Sequence, residues 1–89
     1  MPPKIRPGYP VPFLHHGKRK VGIAVETHLL EEGLVSVVYL DGAFHARCGR
    51  LRWHDAAWTW DETTPEGPSA ENIPELAPYV TTVKNGRYG

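Results

Sequence analysis

Proline is absent from residues 13–64, although nine prolines flank that stretch, at residues 2–12 and 65–78. An internal proline removes a ladder hydrogen bond from a sheet, so the proline-free window is where strands pair freely. A single cysteine, Cys48, excludes an internal disulfide and suits a reducing compartment. No apolar run reaches the roughly 18 residues of a membrane span. The longest, GLVSVVYL, is interrupted by Ser36. A secretory signal needs an apolar stretch of about 7 to 15 residues, and the N-terminal region offers only VPFL. The expectation is a soluble, unsecreted, cytoplasmic protein with no membrane partner. GxSxG, P-loop and HExxH motifs are all missing, as are a heptad pattern and an internal repeat. No catalytic residue, cofactor or metal is therefore expected.

What is present suits one small domain. A chain of 89 residues with 40% apolar residues and three tryptophans has enough hydrocarbon to fold, but it buries only roughly 60 to 65% of its unfolded surface. Formal net charge is zero, yet the charges are segregated. Lys4, Arg6, Lys18, Arg19 and Lys20 stand in residues 1–20 without an acid, whereas residues 54–77 hold six acids without a lysine or arginine. Such segregation serves either a basic surface for an anionic partner or an attraction between the two ends of the chain.

Within the proline-free window the two-residue period of half-buried strands is clear. In KVGIAVETHLL, Val21, Ile23, Val25 and Leu29 alternate with Gly22, Ala24, Glu26 and His28. Glu31, Glu32 and Gly33 suit a three-residue hairpin loop with the glycine left-handed, and Asp41-Gly42 suits a two-residue turn. These turns pair Tyr39 with Phe44, Val37 with Ala46, Val35 with Cys48 and Leu29 with Val35, which gives one buried face. Apolar parity changes after Cys48, so a bulge is expected at Gly49. AAWTWD supplies a fourth strand, with Trp58 and Trp60 on one side. Ser69 caps a helical turn that Pro74 ends, and YVTTV supplies a short fifth strand before a turn at Asn85-Gly86.

Four to five short, bent antiparallel strands over residues 17–61 resemble the SH3-like small barrels, including Tudor and KOW-type modules. The resemblance is carried by GKRKVGIAVETHLLEEGLVSVVYLDGAFHARCGRLRW and the tryptophan strand, and it implies an all-β fold and a binding role rather than catalysis. The expected organisation is an extended proline-rich arm over 1–16, a barrel core over 17–61, and an acidic loop, helical turn, last strand and tail over 62–89. An OB-like barrel or an open meander is the alternative.

On this register His45, Arg47, Arg50 and Arg52 face solvent as a basic band. Zinc ligation by His45, Cys48, His54 and the His15-His16 pair is chemically suitable, but His45 and Cys48 point to opposite faces. Adjacent His54 and Asp55 point apart as well, so they form no dyad. Trp58 and Trp60 are read as core; Trp53 is either core or a peptide-binding aromatic.

The expected function is a non-enzymatic barrel that binds another protein or a larger assembly, as an accessory, inhibitor or assembly subunit of the kind encoded by phages and other mobile elements. Val38, Leu40 and Trp53, with the proline-rich N-terminal arm and the C-terminal tail docking on the partner, form the expected contact surface; Arg47 and Arg52 orient the partner, and His45 and Arg50 belong to the same partner-binding set. The alternative is a nucleic-acid-binding module that uses Arg47, Arg50 and Arg52 against phosphates. Oligomeric state is left open.

Overall fold

Five strands close into a single barrel in the computed structural model, which describes residues 2–86. β1 (Pro10–His15), β2 (Lys18–Glu26), β3 (Leu34–Leu40), β4 (Ala46–His54) and β5 (Ala57–Trp60) follow one another around it. All neighbours are antiparallel except β5 and β1, which close the ring in parallel through Leu14 and Thr59. At this coarse level the architecture is consistent with an SH3-like barrel. One helix, α1 (Ala77–Gly86), follows the strands.

The first strand lies where an arm was expected. Residues 10–15 pair with β2 along their whole length, and Val11, Phe13 and His15 are buried. Pro10 and Pro12 are tolerated because successive strand residues turn their N–H groups to opposite edges. Prolines two apart therefore lose donors on one edge only, the one away from β2. Only residues 2–9 precede the barrel as an irregular segment, and Ile5 packs against the core.

Both hairpin registers differ from the expected ones. The loop after β3 spans residues 41–45 instead of two, closed by Asp41 N–H to the His45 carbonyl (3.0 Å). Asp41 Oδ1 also accepts from the N–H groups of Ala43 and His45. Leu40 consequently faces Ala46, and Tyr39 faces Arg47. Phe44, expected inside, has φ +61° and is 63% exposed. The β3–β4 register then runs without interruption from Leu40 and Ala46 to Leu34 and Arg52, so Gly49 is no bulge. It is small for another reason: a Cβ at Gly49 would collide with the Trp60 ring. The bulge falls in β2 instead, between Ala24 and Glu26. Leu30–Glu32 forms a 3₁₀ turn, and Gly33 has the expected left-handed φ of 76°.

β3 and the middle of β2 bury both faces. Val11, Phe13, Ala24, Val35, Val37, Tyr39, Leu51 and Trp58 fill the interior. Outside, Ile23, Val38, Leu40 and Ala46 form a second core with Ala70 and Val83. Each aliphatic side chain buried there contributes roughly 1.5–3 kcal/mol. The cover is α1, which replaces the expected fifth strand over YVTTV. Leu76, Tyr79, Val80 and Val83 recur at helical spacing and all pack on the outer core. Pro78 sits in the first turn, where its missing N–H costs nothing. Asn85 and Gly86 end the helix rather than turning the chain, and residues 87–89 of the expected tail lie outside the described residues.

Candidate functional site

The expected contact surface is divided by the observed register. Val38 and Leu40 are 0% and 1% exposed, because α1 occupies the face they were expected to offer. His45 is exposed in the 41–45 loop rather than on a strand. With no bulge at Gly49, Arg47 shares its strand side with Leu51 and Trp53, while Arg50 and Arg52 point the other way. The basic band of three arginines is therefore not formed.

Each of these three arginines already has an acidic partner. Asp61 accepts from Arg50 Nε at 3.2 Å and from Arg52 Nε at 3.1 Å. Arg47 Nε donates to Asp41 Oδ2 at 2.7 Å, and its Nη1 donates to the Gly67 carbonyl at 2.8 Å. That guanidinium and the backbone N–H donors of His45 and Ala43 hold the Asp41 carboxyl down to about 2. Asp61 thus neutralises Arg50 and Arg52, and Asp41 neutralises Arg47; of the lysines and arginines in residues 1–20, only Lys20 meets an acid among the described residues, Glu66 at 4.0 Å.

The same segment seals one end of the barrel. Residues 68–70 run beside the start of β4, with Cys48 N–H donating to the Pro68 carbonyl and Ala70 N–H to the Ala46 carbonyl. Glu71 Oε1 accepts from Ala46 N–H and meets Lys84 of α1, tying strand, loop and helix together. Glu66 is the centre of the seal. Its Oε2 accepts from the Tyr39 hydroxyl at 2.6 Å, and the Tyr39 oxygen accepts from Gly67 N–H at 3.0 Å. Burial, then the bond to Glu66, pushes the Tyr39 phenol well above its usual range. His15 is 4% exposed, with Nε2 2.7 Å from the Pro65 carbonyl and Nδ1 4.0 Å from Glu66. Burial pulls its pKa below the usual histidine value, aided by the positive charge of Lys20 and opposed by Glu66. Trp60 completes the seal by donating Nε1–H to the Thr64 carbonyl at 2.9 Å. This network is satisfied by its own members and presents no free reactive group.

An open groove of about 660 Å³ lies beside β1, β2 and the β4–β5 hairpin. Its walls are Pro3, Pro12, Leu14, Trp53 and Trp58, with Arg19 and Lys20 also lining it. Trp53 and Trp58 face each other across the β4–β5 hairpin, edge to face at 5.2 Å. Trp53 is half-buried, so it serves core and surface together. Trp58 is 3% exposed, and its Nε1–H is buried with no acceptor among the described residues. Leaving such a donor unpaired costs about 1–3 kcal/mol. Of this site the sequence singled out Trp53 as a binding aromatic and placed Arg19 and Lys20 in a basic stretch. Trp58 pairs with Trp53 because Asp55 and Ala56 form a tight turn with positive φ at both residues, a turn that carries no glycine to announce it.

The remaining candidates do not assemble. Among the described residues no group of three or more His, Cys, Asp or Glu is placed to hold a metal ion. His54 Nε2 and Asp55 Oδ2 do meet, at 3.1 Å, because Asp55 has left the strand for the turn. Both are exposed to water, so the pair lacks the desolvation that tunes a catalytic dyad. Cys48 is half-buried, and burial raises its thiol pKa, away from the reactive thiolate. No described helix is long and apolar enough to cross a membrane.

Comparison with protein-family models, with curated proteins and with solved structures finds no match. The groove and its chemistry are therefore the basis for assigning a role.

Proposed function

We propose that the protein is a non-enzymatic binding module, an SH3-like small barrel of the Tudor and KOW pattern, that takes up a segment of another protein in the Trp53–Trp58 groove. It would act as an accessory, inhibitor or assembly subunit, the kind of protein that phages and other mobile elements encode. The observation that carries this reading is the groove itself, an open apolar channel with two edge-to-face indoles in its wall. Rigid aromatic side chains supply much contact area at little entropic cost, which is why tryptophan is enriched at binding hot spots.

The closed barrel supports recognition through side chains, because the pairing of β1 with both β2 and β5 leaves no free sheet edge among the described residues for a partner to extend by strand addition. A nucleic-acid reading built on Arg47, Arg50 and Arg52 gains no support, since all three are engaged by Asp41 and Asp61. Selection from a displayed random dodecapeptide library tests the proposal. Peptides recovered on the native protein are expected to lose binding to Trp53→Ala, with circular dichroism confirming that the variant is folded. Recovery of no peptide, or undiminished binding to folded Trp53→Ala, overturns it. Steeply salt-dependent binding of an oligonucleotide in place of peptides would direct attention to the nucleic-acid alternative.

A further inference from the structure

From the charge pattern around the groove, and resting on the binding role just proposed, we infer that its occupant is an acidic peptide segment that places a bulky apolar side chain against Trp53 and Trp58 and a carboxylate on Arg19. Several cations of the chain are already committed. Arg47, Arg50, Arg52 and Lys84 each pair with a carboxylate inside the protein. Lys20 lines the groove but lies 4.0 Å from Glu66 and 5.2 Å from the centre of the Tyr39 ring. Lys4, Arg6, Lys18 and Arg19 make no ion pair among the described residues. All four stand within the first 20 residues, where the sequence has no acid.

Their placement links this free charge to the groove. Arg19 is exposed and lines it directly, Lys18 precedes Arg19, and Lys4 follows the lining residue Pro3. A guanidinium binds a carboxylate through two parallel hydrogen bonds, a geometry that lysine does not supply. Lys4 and Lys18 then act at longer range by attracting negative charge and raising the association rate.

The composition of the site favours peptide over nucleic acid. A phosphodiester chain is held by a track of several cations that neutralise successive phosphates. The groove offers one uncommitted guanidinium among aromatic, aliphatic and proline side chains. That arrangement reads one carboxylate beside one apolar anchor.

The test compares a peptide with its uncharged twin. The most enriched dodecapeptide from the selection described above is synthesised as recovered, and again with every Asp and Glu replaced by Asn and Gln. Both are titrated by fluorescence anisotropy onto the native protein and onto Arg19→Gln. The expected peptide carries acids next to a large apolar residue, its twin binds at least about tenfold more weakly, and Arg19→Gln removes most of that difference. Equal binding of the twin to the native protein, or recovery of neutral or basic peptides, overturns the acidic specificity and leaves the protein-binding role standing. The same difference persisting on Arg19→Gln overturns the assignment of the carboxylate to Arg19. Recovery of no peptide removes both the specificity and the role beneath it.

Discussion

Replacing Tyr39 by phenylalanine removes one oxygen from the centre of the seal while leaving the ring against Phe13, His15 and Trp60. Two hydrogen bonds disappear, the one donated to Glu66 and the one accepted from Gly67 N–H. A hydrogen bond to a charged group contributes about 1.5–3 kcal/mol. Glu66 is 39% exposed and recruits water in exchange, so the low end applies. The Gly67 N–H is buried and loses its acceptor at a further cost of about 1 kcal/mol. The sum, about 2.5 kcal/mol, lowers the melting temperature of a domain this size by about 10–20 °C. Limited proteolysis is expected to speed up within residues 61–69, since the loop is what the hydroxyl holds. A fall below about 3 °C with unchanged cleavage would refute the claim that Tyr39 anchors the loop.

Gly49→Ala places a methyl group where the Trp60 ring lies, and the overpacking is expected to cost about 1–3 kcal/mol in urea unfolding. Val83→Ala opens a space between α1 and the outer core, with an expected loss of about 2 kcal/mol and increased binding of a hydrophobic dye as Val38 and Leu40 become accessible. Stability is expected to fall as pH drops through about 6.5 because of His15, whose folded pKa lies below that ordinary value. Between the two values the unfolded chain binds the extra proton, so stability present above about pH 6.5 is lost as pH falls. His15 faces Lys20, His16 and Glu66, and urea midpoints for His15→Gln should show a flatter dependence over this range. Asp41 acts lower, its contribution fading only between about pH 4 and about pH 2.

The barrel was legible because alternation and proline placement are local signals. The registers were less so, since a turn type was read from a dipeptide. Asp41-Gly42 looks like a two-residue turn, but Asp41 uses its side chain to cap a five-residue loop, and the shift exchanges which residues of β4 face Tyr39. From that one error followed the supposed bulge at Gly49 and the arginine band. The β1 strand was hidden by its prolines, whose two-residue spacing is what makes them compatible with pairing to β2. In α1 the β-branched run of Val80, Thr81, Thr82 and Val83 suggested a strand, although Leu76, Tyr79, Val80 and Val83 already carried the helical period. Val38 and Leu40 were then read as a surface for a partner, when the chain itself supplies the cover. Trp53 was visible as a candidate, but its pairing with Trp58 depends on a glycine-free turn. Arg19 gained significance only once Arg47, Arg50 and Arg52 were seen to be paired.

The most direct measurement on the groove follows the three indole N–H signals by two-dimensional proton–nitrogen NMR, each assigned with a Trp→Phe variant, while a selected peptide is added. Trp60 already donates to the Thr64 carbonyl, whereas Trp58 has no acceptor among the described residues. Binding in the groove predicts that the Trp58 and Trp53 signals move and saturate together while the Trp60 signal stays in place. Saturable binding that moves the Trp60 signal, or leaves Trp53 and Trp58 unmoved, would place the partner elsewhere and contradict the assignment of the groove.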